Sequence, residues 1–349
     1  MMRNVVLLAL TLWGIGWNAP VHTPKSPSAR SWCVSVWYPS SEHAEGYSAL
    51  MRNVDALDEV NPFWYSAAPD GTLIAAPAAE DPEKLAAWRE AGLLIVPTIA
   101  NAVPQVLHTE TRPTHIANIV ALVERMDYDG IDIDYEAFPR TTRDDFSAFI
   151  EALSAELHAR GRLLSIAVHA KTSDVGLWEG AAAQDWARLA AAVDVFRIMT
   201  YDYHHRASAK AGPIGPPHWA AEVLAYANSV TNLSKVRLGL HFYGYRWQRG
   251  QAATFTWESF QRTVIAYGLT VMRDPADMEA YVQFKAPGLP AQTIYVADAA
   301  GLAYKLDMLL SAYPELGGVA IWGVGGEDPA LWSVLRARRT GACALHPGR

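Results

Sequence analysis

Three carboxylates stand at alternate positions in one short segment of the chain, residues 128–136. Asp132, Asp134 and Glu136 alternate there with isoleucine and tyrosine. Alternate residues of a β-strand share a face, so the acids would line one side of a strand and the other residues its opposite side. Burial and neighbouring like charges both favour the protonated form of at least one such acid. The pattern therefore predicts a general acid, with Glu136 at the top of the ladder.

Two other interpretations of this segment are an exposed acidic edge strand and a carboxylate site for Mg²⁺ or Ca²⁺. The edge-strand interpretation is disfavoured, because acids that face inward would add nothing to the solubility of an exposed strand. No further ligand cluster accompanies the acids. The adjacent His204 and His205 would point to opposite faces of a strand, which disfavours chelation by both. We expect no metal and no cofactor.

Short β-rich runs alternate with helical stretches along the chain, which predicts βαβ units and a parallel sheet. The predicted strands are 33–38, 60–66, 93–99, 130–136, 163–169, 195–203, 236–243 and 318–322. The predicted helices are 81–91, 115–126, 142–160, 185–192, 219–229, 299–312 and 329–338. Eight strands with crossover helices predict an α/β fold, a closed (β/α)8 TIM barrel, with its chemistry at the carboxyl ends of the strands.

The predicted domain organisation is one catalytic barrel over residues 31–340 with a tail at 341–349. Residues 248–300, between the seventh strand and its helix, are too long for one helix and predict a small α+β insertion. At the N-terminus, Arg3 precedes an apolar stretch that is too short for a membrane span, so residues 1–19 predict a signal peptide or an uncleaved anchor. Residues 20–30 are rich in proline and serine and predict a linker.

The composition and charge of the chain indicate which classes of protein and partner are compatible with it. The 349 residues carry a net charge of −7, with 51% hydrophobic and 19% charged residues, as expected of a globular chain with a large core. No lysine- or arginine-rich run is present, which argues against nucleic acid or anionic lipid as a partner. The predicted protein is an extracytoplasmic monomer with no membrane contact beyond a possible N-terminal anchor.

The acidic segment resembles the signature of glycoside hydrolase family 18, Asp-x-x-Asp-x-Asp-x-Glu, formed here by Asp129, Asp132, Asp134 and Glu136. Other stretches are similar to the family in order and spacing, namely Met199-Thr-Tyr-Asp202, Gly239-Leu-His-Phe-Tyr-Gly244 and Gly317-Gly-Val-Ala-Ile-Trp322. Within the family the chain looks most like the bacterial cell-wall branch that includes spore-cortex N-acetylglucosaminidases. It differs from many of those enzymes in having no room for LysM wall-binding repeats.

The resemblance implies a retaining mechanism without a protein nucleophile, in which the 2-acetamido group of the substrate attacks its own anomeric carbon. Glu136 would protonate the leaving oxygen and Asp134 would hold the acetamide N–H. Asp132 would share a proton with Asp134, so that the two titrate as a coupled pair. Tyr201 would donate a hydrogen bond to the acetamide oxygen, although a tyrosine on a barrel strand also serves packing alone.

The resemblance also implies substrate contacts around the acids. Asp202 would bind sugar hydroxyls or cap its loop, and Trp322 would stack on the pyranose face or pack in the core. Met199 would form the floor beneath the sugar, and Tyr243 would be a weaker substrate contact. Asp129 would serve structure near the entry of its strand.

These inferences predict a glycosidase that cleaves β-linked N-acetylglucosamine-containing glycans, either peptidoglycan fragments or chitin. One alternative is a non-catalytic, chitinase-like carbohydrate-binding protein, although such lectins typically lose the acid that Glu136 supplies. Another alternative is an endo-β-N-acetylglucosaminidase acting on N-glycans.

The only two cysteines, Cys33 and Cys343, flank the predicted barrel. The eighth helix of a barrel runs back to the face at which the first strand begins, so the two would meet if the chain is exported to an oxidising compartment. The alternative is two unpaired thiols, one in the barrel wall and one on a loose tail.

Overall fold

A computed structural model describes residues 32–39, 44–100, 102–339, 343 and 345. The predicted signal segment, 1–19, and linker, 20–30, lie outside the described residues. The strands are β1 (Cys33–Tyr38), β2 (Glu59–Ala67), β3 (Leu73–Ala75), β4 (Leu94–Ile95), β5 (Thr98–Ala100), β6 (Gly130–Asp134), β7 (Leu163–His169), β8 (Val195–Met199), β9 (Val236–His241), β10 (Gly244–Gln248), β11 (Gln251–Phe255), β12 (Met272–Arg273), β13 (Ala280–Phe284), β14 (Gln292–Val296) and β15 (Gly318–Trp322). The helices are α1 (Ala44–Arg52), α2 (Pro82–Glu90), α3 (Arg112–Met126), α4 (Arg143–His158), α5 (Glu179–Ala182), α6 (Trp186–Ala192), α7 (Pro217–Val230), α8 (Trp257–Tyr267), α9 (Ala299–Ala312) and α10 (Ala330–Arg338). Short 3₁₀ turns cover Val54–Ala56, Pro104–Leu107, Arg140–Thr142 and Leu233–Lys235.

Eight parallel strand positions close into a barrel, in the order β1, β2, β4 with β5, β6, β7, β8, β9 and β15. Closure is made by β1, which pairs in parallel with both β15 and β2. The predicted (β/α)8 barrel is confirmed. The third position is split into β4 and β5, where one strand over 93–99 was predicted. Pro97 lies between them and has no N–H to donate to the ladder.

The strands alternate between two faces. On β6, Ile131 and Ile133 are fully buried in the layer between barrel and helices. Along the opposite face of the wall, several polar side chains are buried inside the barrel: Ser35, Glu59, Asn61, Asp132, Ser165, Arg197 and Arg237. The floor of the barrel is therefore charged, which requires each charge to find a partner.

Strands β6 and β8, which lead to the acids and to Tyr201, end earlier than predicted. The strands predicted at 130–136 and 195–203 end at Asp134 and Met199. Soon after each end one residue takes a left-handed conformation, Ala137 with φ 57° and Asp202 with φ 60°. These turns carry the chain out of the barrel wall, and Glu136 and Tyr201 sit just before them.

A second, five-stranded antiparallel sheet spans Gly244 to Val296, in the order β11-β10-β14-β13-β12. It begins at Gly244, four residues before the predicted insertion. Gly244 pairs with both β11 and β14, and a β-carbon there would lie 2.3 Å from the carbonyl oxygen of Tyr295. Only glycine permits this approach. Helix α8, which the sequence analysis did not predict, starts after the cap Thr256 and ends at the left-handed Gly268.

Cys33 and Cys343 form a disulfide with their α-carbons 4.9 Å apart. The bridge ties the first barrel strand to the residues after α10, 310 positions apart in sequence. Removing it, as in the double Cys33→Ser, Cys343→Ser variant, should lower the free energy of unfolding. The chain-entropy model gives an upper figure of about 5 kcal/mol, and strain and residual structure reduce it.

Urea unfolding of the wild type with and without reductant checks this prediction. Reduced wild type should match the double serine variant, and oxidised wild type should be more stable than both. Two reactive thiols in denatured, unreduced protein, or equal stability of all three samples, would contradict it.

Candidate active site

The three acids of the ladder face the barrel interior at increasing exposure. Asp132 is completely buried and Asp134 is 6% exposed. Glu136 lies beyond the end of β6, and half of its side chain is exposed. The ladder therefore runs from the charged floor to an open cleft.

Asp132 accepts hydrogen bonds from four donors, and its predicted proton sharing with Asp134 stays a prediction. Its Oδ1 accepts from Arg197 Nη1 at 2.7 Å and from Ser165 Oγ at 2.5 Å. Its Oδ2 accepts from Thr98 Oγ1 at 2.9 Å and from Trp37 Nε1 at 3.0 Å. These contacts use both oxygens of the carboxylate and fix its orientation in the barrel floor.

A buried ion cluster lies beneath the acids, and sequence reasoning missed it. The Arg197 side chain is wholly buried and bridges Asp132 and Glu59. Burial opposes the charge of this guanidinium, yet the two carboxylates together hold the pKa of Arg197 above its ordinary value. Arg197 thus supplies the positive charge that the buried carboxylates of Asp132 and Glu59 require.

Asp134 has a different environment two residues further on. Its Oδ1 is buried and has no hydrogen-bond partner among the described residues. Burial, with Glu136 and Asp132 as nearby negative charges, raises the pKa of Asp134 well above its usual range. A donor supplied from the cleft would satisfy this oxygen.

Glu136 is the acid that reaches the cleft. Burial in the site and the negative charge of Asp202 raise the pKa of Glu136. Its Oε2 lies 3.5 Å from Nδ1 of His169, at the end of β7. A raised pKa keeps a carboxyl protonated closer to neutral pH, as a general acid requires.

Tyr201 follows β8 and turns its side chain towards the acids. Burial and the charges of Asp134 and Glu136 raise the pKa of Tyr201 well above its usual range, so the hydroxyl remains a donor. Gly239 of β9 makes room for it, since a β-carbon there would lie 2.9 Å from Tyr201 Cε1 and 2.5 Å from the carbonyl oxygen of Ile198.

Tyr243 lies behind Asp202 and does not line the cleft. Its hydroxyl donates to Asp202 Oδ1 at 2.6 Å, and Tyr245 donates to the same oxygen at 3.0 Å. The Tyr243 hydroxyl therefore supports Asp202, and the predicted substrate contact of Tyr243 stays a prediction. Asp129 sits at the entry of β6, where its Oδ2 accepts from the backbone N–H of Ile95 at 2.9 Å.

The acids open into a cleft of about 910 Å³. Of the predicted site residues, Asp134, Glu136, Met199, Tyr201, Asp202 and Trp322 line it. Trp322 is partly exposed and packs against Phe63, with ring centroids 5.1 Å apart, and against Trp37 at 6.5 Å. A second aromatic group lines the other part of the cleft, formed by His169, Trp178, Tyr203 and Trp219. The cleft thus has two groups of aromatic side chains in its lining.

Among the described residues, no group of three histidine, cysteine, aspartate or glutamate side chains is arranged to bind a metal ion. His204, one of the two histidines considered as metal ligands, has its Nδ1 2.9 Å from the carbonyl oxygen of Pro213. No helix in the described part of the chain is both long and apolar enough to cross a bilayer.

Fold and site together define a barrel enzyme with a buried acid ladder at the carboxyl ends of its strands. The sequence profile of glycosyl hydrolases family 18 matches residues 98–327, more than half of the chain. This chain belongs to that family, and the predicted family resemblance and glycosidase class are confirmed.

The YdhD protein of Bacillus subtilis, named as a sporulation-specific glycosylase, is 36% identical over 146 residues. That alignment covers 42% of this chain and 34% of YdhD. A Bacillus subtilis protein named as an uncharacterized glycosylase, YvbX, is 21% identical over 62% of this chain and 63% of its own length. The chain thus spans less than two thirds of either curated relative.

Solved structures of other proteins have a similar fold over most of this chain. A chitinase from Chromobacterium violaceum has a TM-score of 0.82 and 25% identity, covering 88% of this chain and 100% of that one. The spore cortex-lytic enzyme SleL of Bacillus megaterium has a TM-score of 0.80 and 20% identity, covering 89% and 75%. At 20% identity the second likeness concerns the fold alone.

Proposed function

We propose that this chain is a retaining glycosidase that cleaves β-linked N-acetylglucosamine-containing glycans, peptidoglycan fragments or chitin, with the substrate as its own nucleophile. The observation that carries the proposal is Oδ1 of Asp134, a buried carboxyl oxygen without a partner that lies between Glu136 and the charged floor. An acetamide N–H is the kind of donor that would satisfy it. A sugar with a hydroxyl in place of the acetamide would lack the nucleophile.

In the first step the acetamide carbonyl oxygen attacks the anomeric carbon, and the glycosidic bond breaks as Glu136 transfers its proton to the departing oxygen. The product is an oxazolinium ion. Asp134 accepts the acetamide N–H, a contact that strengthens as positive charge develops on the nitrogen. Tyr201 donates to the acetamide oxygen and fixes its approach.

In the second step Glu136, now a carboxylate, removes a proton from water as the water oxygen attacks the anomeric carbon. The ring of the oxazolinium ion opens, the acetamide is restored, and the configuration is retained. Glu136 ends the cycle protonated.

The aromatic groups at the two parts of the cleft suit sugars on either side of the broken bond. Trp322, which lines the cleft together with Met199, offers a face to the ring that carries the acetamide. Trp178, 46% exposed, and Tyr203, equally exposed, offer surfaces to the leaving sugar. The disulfide and the predicted signal segment support an oxidising, extracytoplasmic location.

Two matched aryl disaccharides test the proposal, one of N-acetylglucosamine and one of glucose. We expect turnover of the acetylated substrate and almost none of the other, because only the first carries the nucleophile. Efficient cleavage of the glucose analogue would rule out substrate assistance. Mass spectrometry of digests of purified peptidoglycan and chitin, run side by side, would then show which polymer is cut and at which bond.

A further inference from the structure

His169 lies against the acid but has no part in the mechanism above. It ends β7, is 9% exposed, and places Nδ1 3.5 Å from Oε2 of Glu136. The indole of Trp178 covers it edge-on, with ring centroids 4.5 Å apart. A buried imidazole beside a general acid is a candidate for control of that acid.

The imidazole is neutral under ordinary conditions. Burial lowers the pKa of His169 to about 4, so the ring carries a single proton at neutral pH. Nε2 is buried and has no partner among the described residues. A buried N–H without an acceptor is costlier and rarer than an acceptor without a donor, so the proton belongs on Nδ1, facing Glu136.

We propose that His169 is a positioning residue whose neutral Nδ1–H donates to Oε2 of Glu136 and thereby keeps the acid proton on Oε1. This inference rests on the proposed role of Glu136. A carboxyl group whose Oε2 accepts a hydrogen bond carries its own proton on the other oxygen, which is free to face the glycosidic oxygen. The proposal requires the 3.5 Å separation to shorten when substrate fills the cleft, since catalytic hydrogen bonds are often long until substrate is bound. Once the proton has left, the same N–H stabilises the carboxylate.

The surroundings fix the backbone of His169 and the loop that covers its ring. Its backbone N–H donates to Oε1 of Gln184 at 2.8 Å. Two residues on, the buried Lys171 donates to the carbonyl oxygens of Asp174 and Gln184, which anchors the loop that carries Trp178. The ammonium of Lys171 is thus committed to backbone oxygens of its own loop.

Several other charged or titratable groups face the pair from neighbouring elements. Asp134, Asp202 and Tyr201 stand beside Glu136, and His205 and Glu222 line the same cleft. All are unchanged in the variants below, so a shift in the pH profile reports the contact between His169 and Glu136.

Three variants test the proposal by kinetics. His169→Leu removes the donor, His169→Asn keeps an amide donor near the position of Nδ1, and His158→Leu alters an exposed histidine on the outer helix α4.

We expect His169→Leu to lower kcat about 10-fold, the value of one hydrogen bond to a charged group, with KM nearly unchanged. Loss of a donor to the carboxylate favours the protonated form, so the basic limb of kcat/KM should move to higher pH. His169→Asn should retain most of kcat and the wild-type limb, and His158→Leu should match wild type.

Wild-type kcat and an unmoved basic limb in folded His169→Leu would overturn the proposal. So would an equal loss in His169→Asn and His169→Leu, since packing alone would explain it. If wild type itself turns over no N-acetylglucosamine substrate, the proposed function fails, and a second measurement still decides the role of His169.

That measurement is the imidazole ¹⁵N spectrum of wild-type protein, with the His169 signals assigned from the Asn variant. Between about pH 5 and 8 we expect a neutral ring with its proton on Nδ1. The Nδ1–H signal should follow the titration of Glu136, and this dependence should vanish in Glu136→Gln. A proton on Nε2, a cationic ring, or a signal indifferent to Glu136 would each overturn the proposal without reference to activity.

Discussion

Glu136→Gln should lower kcat on an N-acetylglucosamine substrate about 10²-fold or more, the usual contribution of a general acid. The amide has the size of the carboxyl group but no proton that it can give to the leaving oxygen. Substrate contacts elsewhere in the cleft are unchanged, so KM or the inhibition constant of a product sugar should stay within a few-fold of wild type. Initial rates and product inhibition measure the two effects.

The matched control is Glu156→Gln, the same substitution on the outer face of α4, where Glu156 pairs with Arg160 in solvent. It should leave kcat unchanged. Near wild-type turnover by purified, folded Glu136→Gln would remove Glu136 from its role as acid. A parallel loss of binding would point instead to a damaged cleft.

The three acids of the ladder have different surroundings, and these suit them to different roles. Asp132 accepts from four donors, one of them the buried guanidinium of Arg197, and it supports the floor. Asp134 has a bare oxygen and a raised pKa, and Glu136 has a raised pKa and access to the cleft. Carboxyls whose environments differ this strongly can take different chemical roles within one site.

The sequence predicted those features that repeat locally along the chain. Strand β7 and helix α9 have the predicted bounds, because apolar periodicity and turn residues mark their ends. The acid ladder was visible because a strand places alternate residues on one face. Helix α8 was missed although Thr256 and Gly268 are ordinary start and stop signals, so closer attention to caps would have found it.

The contacts that were missed join residues far apart in sequence. Arg197 meets Asp132 across 65 positions and Glu59 across 138, and neither pairing has a local signature. Only barrel closure brings these strands together. The contact of Tyr243 with Asp202 was missed for the same reason, since nothing near Tyr243 in sequence indicates that its hydroxyl meets Asp202. His169 was predicted to end a strand, but its proximity to Glu136 depends on how β6 and β7 are aligned.

Arg197→Met should lower the free energy of unfolding by about 3–5 kcal/mol, the cost of removing one partner from a buried ion pair. Methionine fills much of the space but leaves Glu59 and Asp132 without their common cation in the barrel floor. Urea unfolding of the variant and of the wild type measures the loss. The control is Arg188→Met, which breaks a partly exposed pair with Glu151 and should lower the free energy of unfolding by no more than about 1 kcal/mol. Equal losses of stability in the two variants would show that the floor does not depend on its buried arginine. A folded Arg197→Met variant should also turn over substrate more slowly, because Asp132 would then add an unbalanced charge beneath Asp134.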